Sequence, residues 1–268
     1  MRRVVLAVGL AGCLFPSLSD LSSDGGVDAS DASDVVTTDV ATSDAVADVV
    51  DGALLAFCAS QADAAFCDDF DDTSQPFFAK WSTSIDDGGK LERLDAGLSL
   101  PSALGVTIAA ADGGQPGAYL WKNFTGVSRF TLLFDCIIDT YDTGGSTLIL
   151  NQVETNGYAF SVRMPINATG ARVSAAIYPP DASASFVDLA GPFVFDPNVW
   201  HNVRMDVDLA AVPANATVVI DGTTRVADAG VPGATFGPGA VQLTAGAFYA
   251  NAPTSGWRFR VDNVAFFH

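Results

Sequence analysis

Few residues in this sequence have the means to do chemistry, and their spacing limits what they can do. Asp206 and Asp208, in the run VRMDVD, would project from one face of a strand about 7 Å apart, within the range in which two carboxylates hydrolyse a glycoside with inversion. Neighbours on one strand, however, reach a sugar from the same side, and inversion needs them on opposite sides. Asp135 and Asp139 would stand about 13 Å apart on the same geometry, too far for either hydrolytic mechanism. Both pairs are expected to be solvated or hydrogen-bonded structural carboxylates. His201 and His268 are the two histidines. His201 shares an apolar alternation with Val203 and Met205, which marks a satisfied core histidine before a general base; His268 is expected to be mobile. An ordinary zinc site needs Cys or His clusters that do not occur, and there is no Gly-rich phosphate loop, Gly-x-Ser-x-Gly elbow or dinucleotide fingerprint.

For binding, sugars want flat aromatic faces flanked by hydrogen-bonding side chains. Tyr119 and Trp121 share one face of AYLWKNF, Asn151 ends a strand, Tyr158 and Arg163 lie on the next, and Trp257 borders the last. These six are the ligand-binding candidates; the competing reading of each is core or cross-strand packing, since buried aromatics dominate sandwich cores.

The elements that must position them are strands. About a dozen β-rich runs are separated by turn signals, from LERLDAGLSL through RFTLLFDCIID to WRFRVDNVAFF, with no convincing helix. This predicts an all-β protein of two antiparallel sheets packed face to face. RFTLLFDCIID is apolar on both faces and should lie centrally. The stretch from Val199 to Asp228 is the clearest: Val199, His201, Val203, Met205, Val207 and Leu209 alternate with polar residues. Thr217 to Ile220 then leads through the Asp221-Gly222 hairpin signal into Thr223 to Ala227.

At Trp200-His201-Asn202-Val203, Ile220-Asp221-Gly222 and the closing FRVDNVAFF, the chain resembles a concanavalin A-like jelly roll of the laminin-G-like type, over roughly residues 57 to 268. The resemblance implies that the first strand, FCDDFDD, pairs with the last. Related jelly rolls often bind a structural Ca²⁺ near that junction, which makes Asp69, Asp71 and Asp262 the metal candidates, since carboxylates suit this hard cation. The glucanase branch of this fold carries Glu-x-Asp-x-x-Glu on one strand. That motif is absent: the only glutamates are Glu92 and Glu154.

Arg2, Arg3, the apolar run Val4 to Leu10 and the small residues after it form a signal segment too short to span a bilayer. Leu10-Ala11-Gly12-Cys13 matches the lipobox of bacterial lipoprotein precursors, so Cys13 is expected to be acylated, and Leu14 after it implies sorting to the outer membrane. Residues 1–12 would then be the signal peptide, 13–52 a tether and 53–268 the jelly-roll domain. Between Asp20 and Asp51 the chain has nine acidic residues and no Lys, Arg or aromatic side chain, the composition of a disordered, self-repelling spacer. The net charge is −18, and from residue 52 onward there are still 22 acidic against 11 basic residues, which argues against nucleic acid as a partner. In an exported protein the local pair Cys58 and Cys67 is expected to form a disulfide, with Cys67 to Cys136 the alternative. Cys136 otherwise reads as a small buried hydrophobe.

These features favour a membrane-anchored, non-catalytic module that binds carbohydrate or another surface ligand, and they lean against an enzyme. A polysaccharide-active hydrolase or lyase with an Asp-based site is the alternative, and an adhesive module with a protein partner is the third reading.

Overall fold

The structure is a computed structural model that describes residues 57–86, 88–111, 114–155, 160–178, 185–231 and 236–268. Cys13, the signal segment, the acidic tether and Tyr158 lie outside these residues. One helical turn, α1 (Phe57–Ser60), comes first and is tied to the sheet by a disulfide between Cys58 and Cys67, with Cα atoms 5.6 Å apart. That pairing excludes the Cys67 to Cys136 alternative. Cys136 is a free, fully buried thiol, and burial pushes its pKa well up.

In chain order the strands are β1 (Phe66–Asp68), β2 (Ser82–Asp86), β3 (Gly89–Leu94), β4 (Ala103–Ile108) and β5 (Gly117–Val127). Then follow β6 (Arg129–Thr140), β7 (Leu148–Thr155), β8 (Phe160–Asn167), β9 (Gly170–Ile177) and β10 (Ser185–Phe193). The last five are β11 (His201–Asp208), β12 (Asn215–Ile220), β13 (Thr223–Gly230), β14 (Gly239–Ala250) and β15 (Trp257–Phe267). They form two antiparallel sheets. One has eight strands in the order β13-β12-β11-β6-β15-β4-β3, with β1 also paired to β15; the other has seven, in the order β10-β9-β8-β7-β14-β5-β2.

Period-two alternation decides which side chains meet between the sheets. From the eight-stranded sheet come Leu132, Phe134 and Ile138 of β6, Val203, Met205 and Val207 of β11, and Phe259 and Val261 of β15. The seven-stranded sheet answers with Leu120 of β5, Leu148 and Leu150 of β7, Val162 and Met164 of β8, and Leu243 of β14. As expected, β6 is central, between β11 and β15, and β1 pairs with β15 through Phe66 opposite Phe266 and Asp68 opposite Val264. At the β12–β13 hairpin Asp221 and Gly222 both take positive φ, 52° and 71°, which a two-residue turn compatible with strand twist requires.

Several strand boundaries differ from expectation; the first strand, for one, covers only Phe66–Asp68 of FCDDFDD. Val199 is half exposed, at 50%, because β11 begins only at His201, after a turn in which Asn198 takes a φ of 59°. LERLDAGLSL is not one strand: β3 stops at Leu94, and the following segment returns over the outer side of β15, where Ser99 donates its amide to Asp262 at 2.9 Å. STSID, too short and polar to declare itself, forms the edge strand β2.

Candidate functional site

Because Phe160, Val162, Met164 and Ile166 of β8 point into the core, Ser161 and Arg163 must point out of the seven-stranded sheet. The register carries this outward face across the sheet. One row runs from Asn123 of β5 to Gln242 of β14, Glu154 of β7, Ser161 of β8, Ala176 of β9 and Phe186 of β10. A neighbouring row pairs Trp121 with Thr244 on one side and Arg163 with Ser174 and Asp188 on the other.

Five polar side chains of this face are buried although they belong to no core. Glu154, Ser161, Arg163, Ser174 and Thr244 are each at most 5% exposed. Burying polar groups away from an apolar interior costs free energy, which makes such a cluster a candidate site. Arg163 is its centre. Its Nε donates to Ser174 Oγ and its Nη1 to Tyr178 OH, both at 3.4 Å, while the Phe186 ring lies 4.5 Å from the guanidinium carbon. Phe186 is itself 57% exposed, so the arginine sits under a ring that faces solvent. Among the described residues the guanidinium meets hydroxyls and a ring but no carboxylate. Two strands away, on β14, Gln242 Nε2 donates to Asn123 Oδ1 of the next strand, β5, at 3.1 Å, and Tyr119 and Trp121 extend the face in half-buried positions, the Tyr119 ring 5.2 Å from that of Phe248.

Of the six ligand-binding candidates, Tyr119, Trp121 and Arg163 therefore share one face. Of Asn151 only the backbone, on β7, is described. Trp257 is a correction: it is 1% exposed in the core, its Nε1 donating to Ser146 Oγ at 2.9 Å, because the β15 alternation turns it inward. Tyr178, Ser161, Ser174, Thr244, Gln242 and Glu154 were not singled out by sequence. Their signal is a set of polar residues at the outward positions of successive strands, which becomes visible only once the register is known.

The remaining acidic candidates serve the scaffold. Asp208 pairs with Arg129 at 2.7 Å, and Asp206 with Arg204 at 2.8 Å while taking the Thr131 hydroxyl at 2.6 Å. Asp139 binds Arg260, and Asp135 accepts the side-chain amides of Asn202 and Asn263. Burial pushes Asp135 above its ordinary pKa in spite of those two amides. His201 is buried with Nδ1 2.7 Å from Asp221 and Nε2 3.1 Å from the Asp196 carbonyl, the satisfied histidine expected. The calcium candidates do not converge. Asp69 takes the Cys58 amide, Asp71 that of Ser102 and Asp262 that of Ser99, and among the described residues no three Asp, Glu, His or Cys side chains gather as a metal site.

No family model matches the chain, and no curated protein matches it in sequence. Solved structures do share the sandwich. An endo-β-1,4-glucuronan lyase from the fungus Trichoderma reesei aligns over 76% of this chain and 95% of its own, with a TM-score of 0.60 and 13% identity. The cellulose-induced protein Cip1 covers 75% of this chain and 96% of its own at TM-score 0.54 and 13% identity. The alginate lyase vAL-1 from a Chlorella virus covers 69% and 93% at TM-score 0.51 and 10% identity. At these identities the likeness establishes the antiparallel sandwich and not the reaction. The two lyases nevertheless overturn the expectation of a non-catalytic binding module, and with it the leaning against an enzyme. Of the readings drawn from the sequence, the polysaccharide-active enzyme is the one carried forward.

Proposed function

We propose that this protein is a polysaccharide lyase that cleaves a uronate-containing polymer by β-elimination on the outward face of its seven-stranded sheet. The observation that carries the reading is Arg163: a buried guanidinium outside the core, with a tyrosine hydroxyl beside it and no ion pair to a carboxylate among the described residues. Elimination needs the carboxylate at C5 of a uronate to be neutralised, so that the proton on the same carbon can leave. A fixed guanidinium does this by paired, charge-assisted hydrogen bonds. Tyr178 is the proton-transfer group. In its deprotonated form it takes the C5 proton, the C4–O bond breaks as C4=C5 forms, and the same hydroxyl returns a proton to the departing oxygen. Tyr119, Trp121, Asn123 and Gln242 lie further along the face, where flanking sugars would rest.

Hydrolysis fits this face less well. Its described acidic residues, Glu154 on β7 and Asp188 on β10, are three strands apart, about 14 Å, beyond the separations that retaining or inverting glycosidases use. The test is incubation with glucuronan, alginate and neutral glucans, followed by ultraviolet absorbance of the unsaturated product. Absorbance should rise with a polyuronate only; no rise with any polyuronate contradicts the proposal.

The cellular address is a separate proposal that rests on sequence. Leu10-Ala11-Gly12-Cys13 supports acylation of Cys13 and retention at the outer membrane, with the laminin-G-like jelly roll held away from the lipid by the acidic segment. A Cys13→Ser variant should lose incorporated fatty acid and leave the membrane fraction; unchanged partitioning contradicts this address.

A further inference from the structure

The eight-stranded sheet has an outward face of its own, on the opposite side of the sandwich from Arg163, and it holds a cavity of about 400 Å³. Two registered rows build the floor. Thr217, Asp206, Thr131 and Phe267 lie side by side on β12, β11, β6 and β15, and Asn215, Asp208 and Arg129 form the next row on the first three of these strands. We propose that this cavity is a second saccharide site, one that takes a neutral pyranose unit.

Charge argues for the neutral ligand. Asp206 and Asp208 stand on the floor, each already neutralised in place, by Arg204 at 2.8 Å and Arg129 at 2.7 Å. Among the described residues lining the cavity, Arg129 is already paired and His268 is the one other basic side chain, so no arginine or lysine is left over to receive a uronate, and a second negative charge would meet two carboxylates in a protein of net charge −18. A hydroxylated ring, by contrast, finds polar atoms held rigid by their existing partners, which lowers the ordering cost of binding. Asp206 Oδ1 is oriented by the Thr131 hydroxyl at 2.6 Å. Thr217 Oγ1 accepts the Asp228 amide at 2.9 Å, which leaves its own proton to donate, and Asn215 offers an amide. Phe267 supplies the apolar wall. Unlike Phe66, Phe124, Phe130 and Phe266, which pack on one another or on Trp81, its ring meets no other aromatic ring among the described residues. It is only partly buried, as a platform for the C–H face of a pyranose would be. The volume lies within the usual range for small-ligand sites.

This site is independent of the lyase reading. It adds a contact to the molecule and does not restore a binding-only domain. The test is electrophoresis of the full chain through native gels containing hydroxyethylcellulose, laminarin, galactomannan or alginate, with Phe267→Ala, Thr217→Val and Arg163→Ala alongside and circular dichroism melts to verify folding. At least one neutral polymer should retard the wild-type chain, with affinity falling tenfold or more in Phe267→Ala and several-fold in the nearly isosteric Thr217→Val, and unchanged in Arg163→Ala. Retardation by none of the neutral polymers would overturn the proposal. Retardation that survives both cavity variants, or that is lost only in Arg163→Ala, would overturn it as well, the last by placing the contact on the reaction face.

Discussion

Arg163 and Tyr178 stand at the point where burial, charge and proton transfer meet, so substitutions there separate chemistry from folding. Arg163→Ala should lower kcat/KM for a polyuronate by about 10² to 10⁴, with Arg163→Lys intermediate, because an ammonium keeps the charge and loses the paired geometry. Tyr178→Phe should cost about 10² to 10⁴ in kcat with little change in KM, since it removes the transferred proton and leaves the ring. Steady-state kinetics on folded variants would check both; a Tyr178→Phe enzyme with full kcat excludes that residue from proton transfer. Arg163 was legible in the sequence because a lone arginine in a strand of apolar alternation needs a reason. Tyr178 was not, because it follows the last residue of β9 and its relation to Arg163 exists only through the pairing of β8 with β9. Trp257 shows the converse: a large aromatic next to a turn reads as a sugar platform until the alternation places it inside.

At the scale of elements, two buried carboxylates fasten loops to the sheets, and they respond to pH with opposite sign. Asp142 receives the amides of Ser146, Thr254 and Ser255, clamping the turn after β6 to the one before β15. Burial pushes its carboxyl up, but the amides and hydroxyls of Ser255 and Ser146 outweigh that and hold it well below the ordinary 3.8. A depressed folded value means that its stabilisation is present above the ordinary carboxylate range and is lost as pH falls toward the folded pKa. Asp142→Asn should cost about 2 to 3 kcal/mol in urea unfolding at pH 7, with the gap to wild type narrowing toward pH 2; a gap that does not depend on pH contradicts the clamp. Asp262 is the reverse case. Burial raises it from 3.8 to about 7 against donors from Asn263, Ser99 and Leu98. Its contribution is present below pH 3.8 and lost as pH rises through about 7. Asp262→Asn should therefore compare best with wild type above pH 7. Neither role was legible beforehand, because the partners that fasten each loop, Thr254 and Ser255 for Asp142 and Ser99 for Asp262, are distant in sequence, whereas the β12–β13 hairpin was, its turn being encoded by two adjacent residues.

For the whole molecule the decisive quantities are charge and the two outward faces. A chain of net charge −18 repels a polyuronate, so KM for that substrate should fall as salt rises from a few millimolar to about 0.15 M, where the screening length drops to about 8 Å. A KM that rises with salt would mean that local attraction governs binding. The sandwich itself was legible because alternation over a dozen runs leaves little choice of architecture, and closure of β1 on β15 came with the resemblance. The face around Arg163 was hidden for the same reason that the fold was plain: alternation tells which residues leave the core but not which outward residues lie side by side.

Bond chemistry at Arg163 is the decisive point of the proposed function. Mass spectrometry of the oligosaccharides released from a polyuronate decides it, because elimination adds no water to the products and hydrolysis adds one at every cut. The proposed elimination predicts unsaturated fragments without added water, formed by the wild-type chain and absent with Arg163→Ala. Fragments that each carry an added water, or no fragments from any polyuronate, would contradict it.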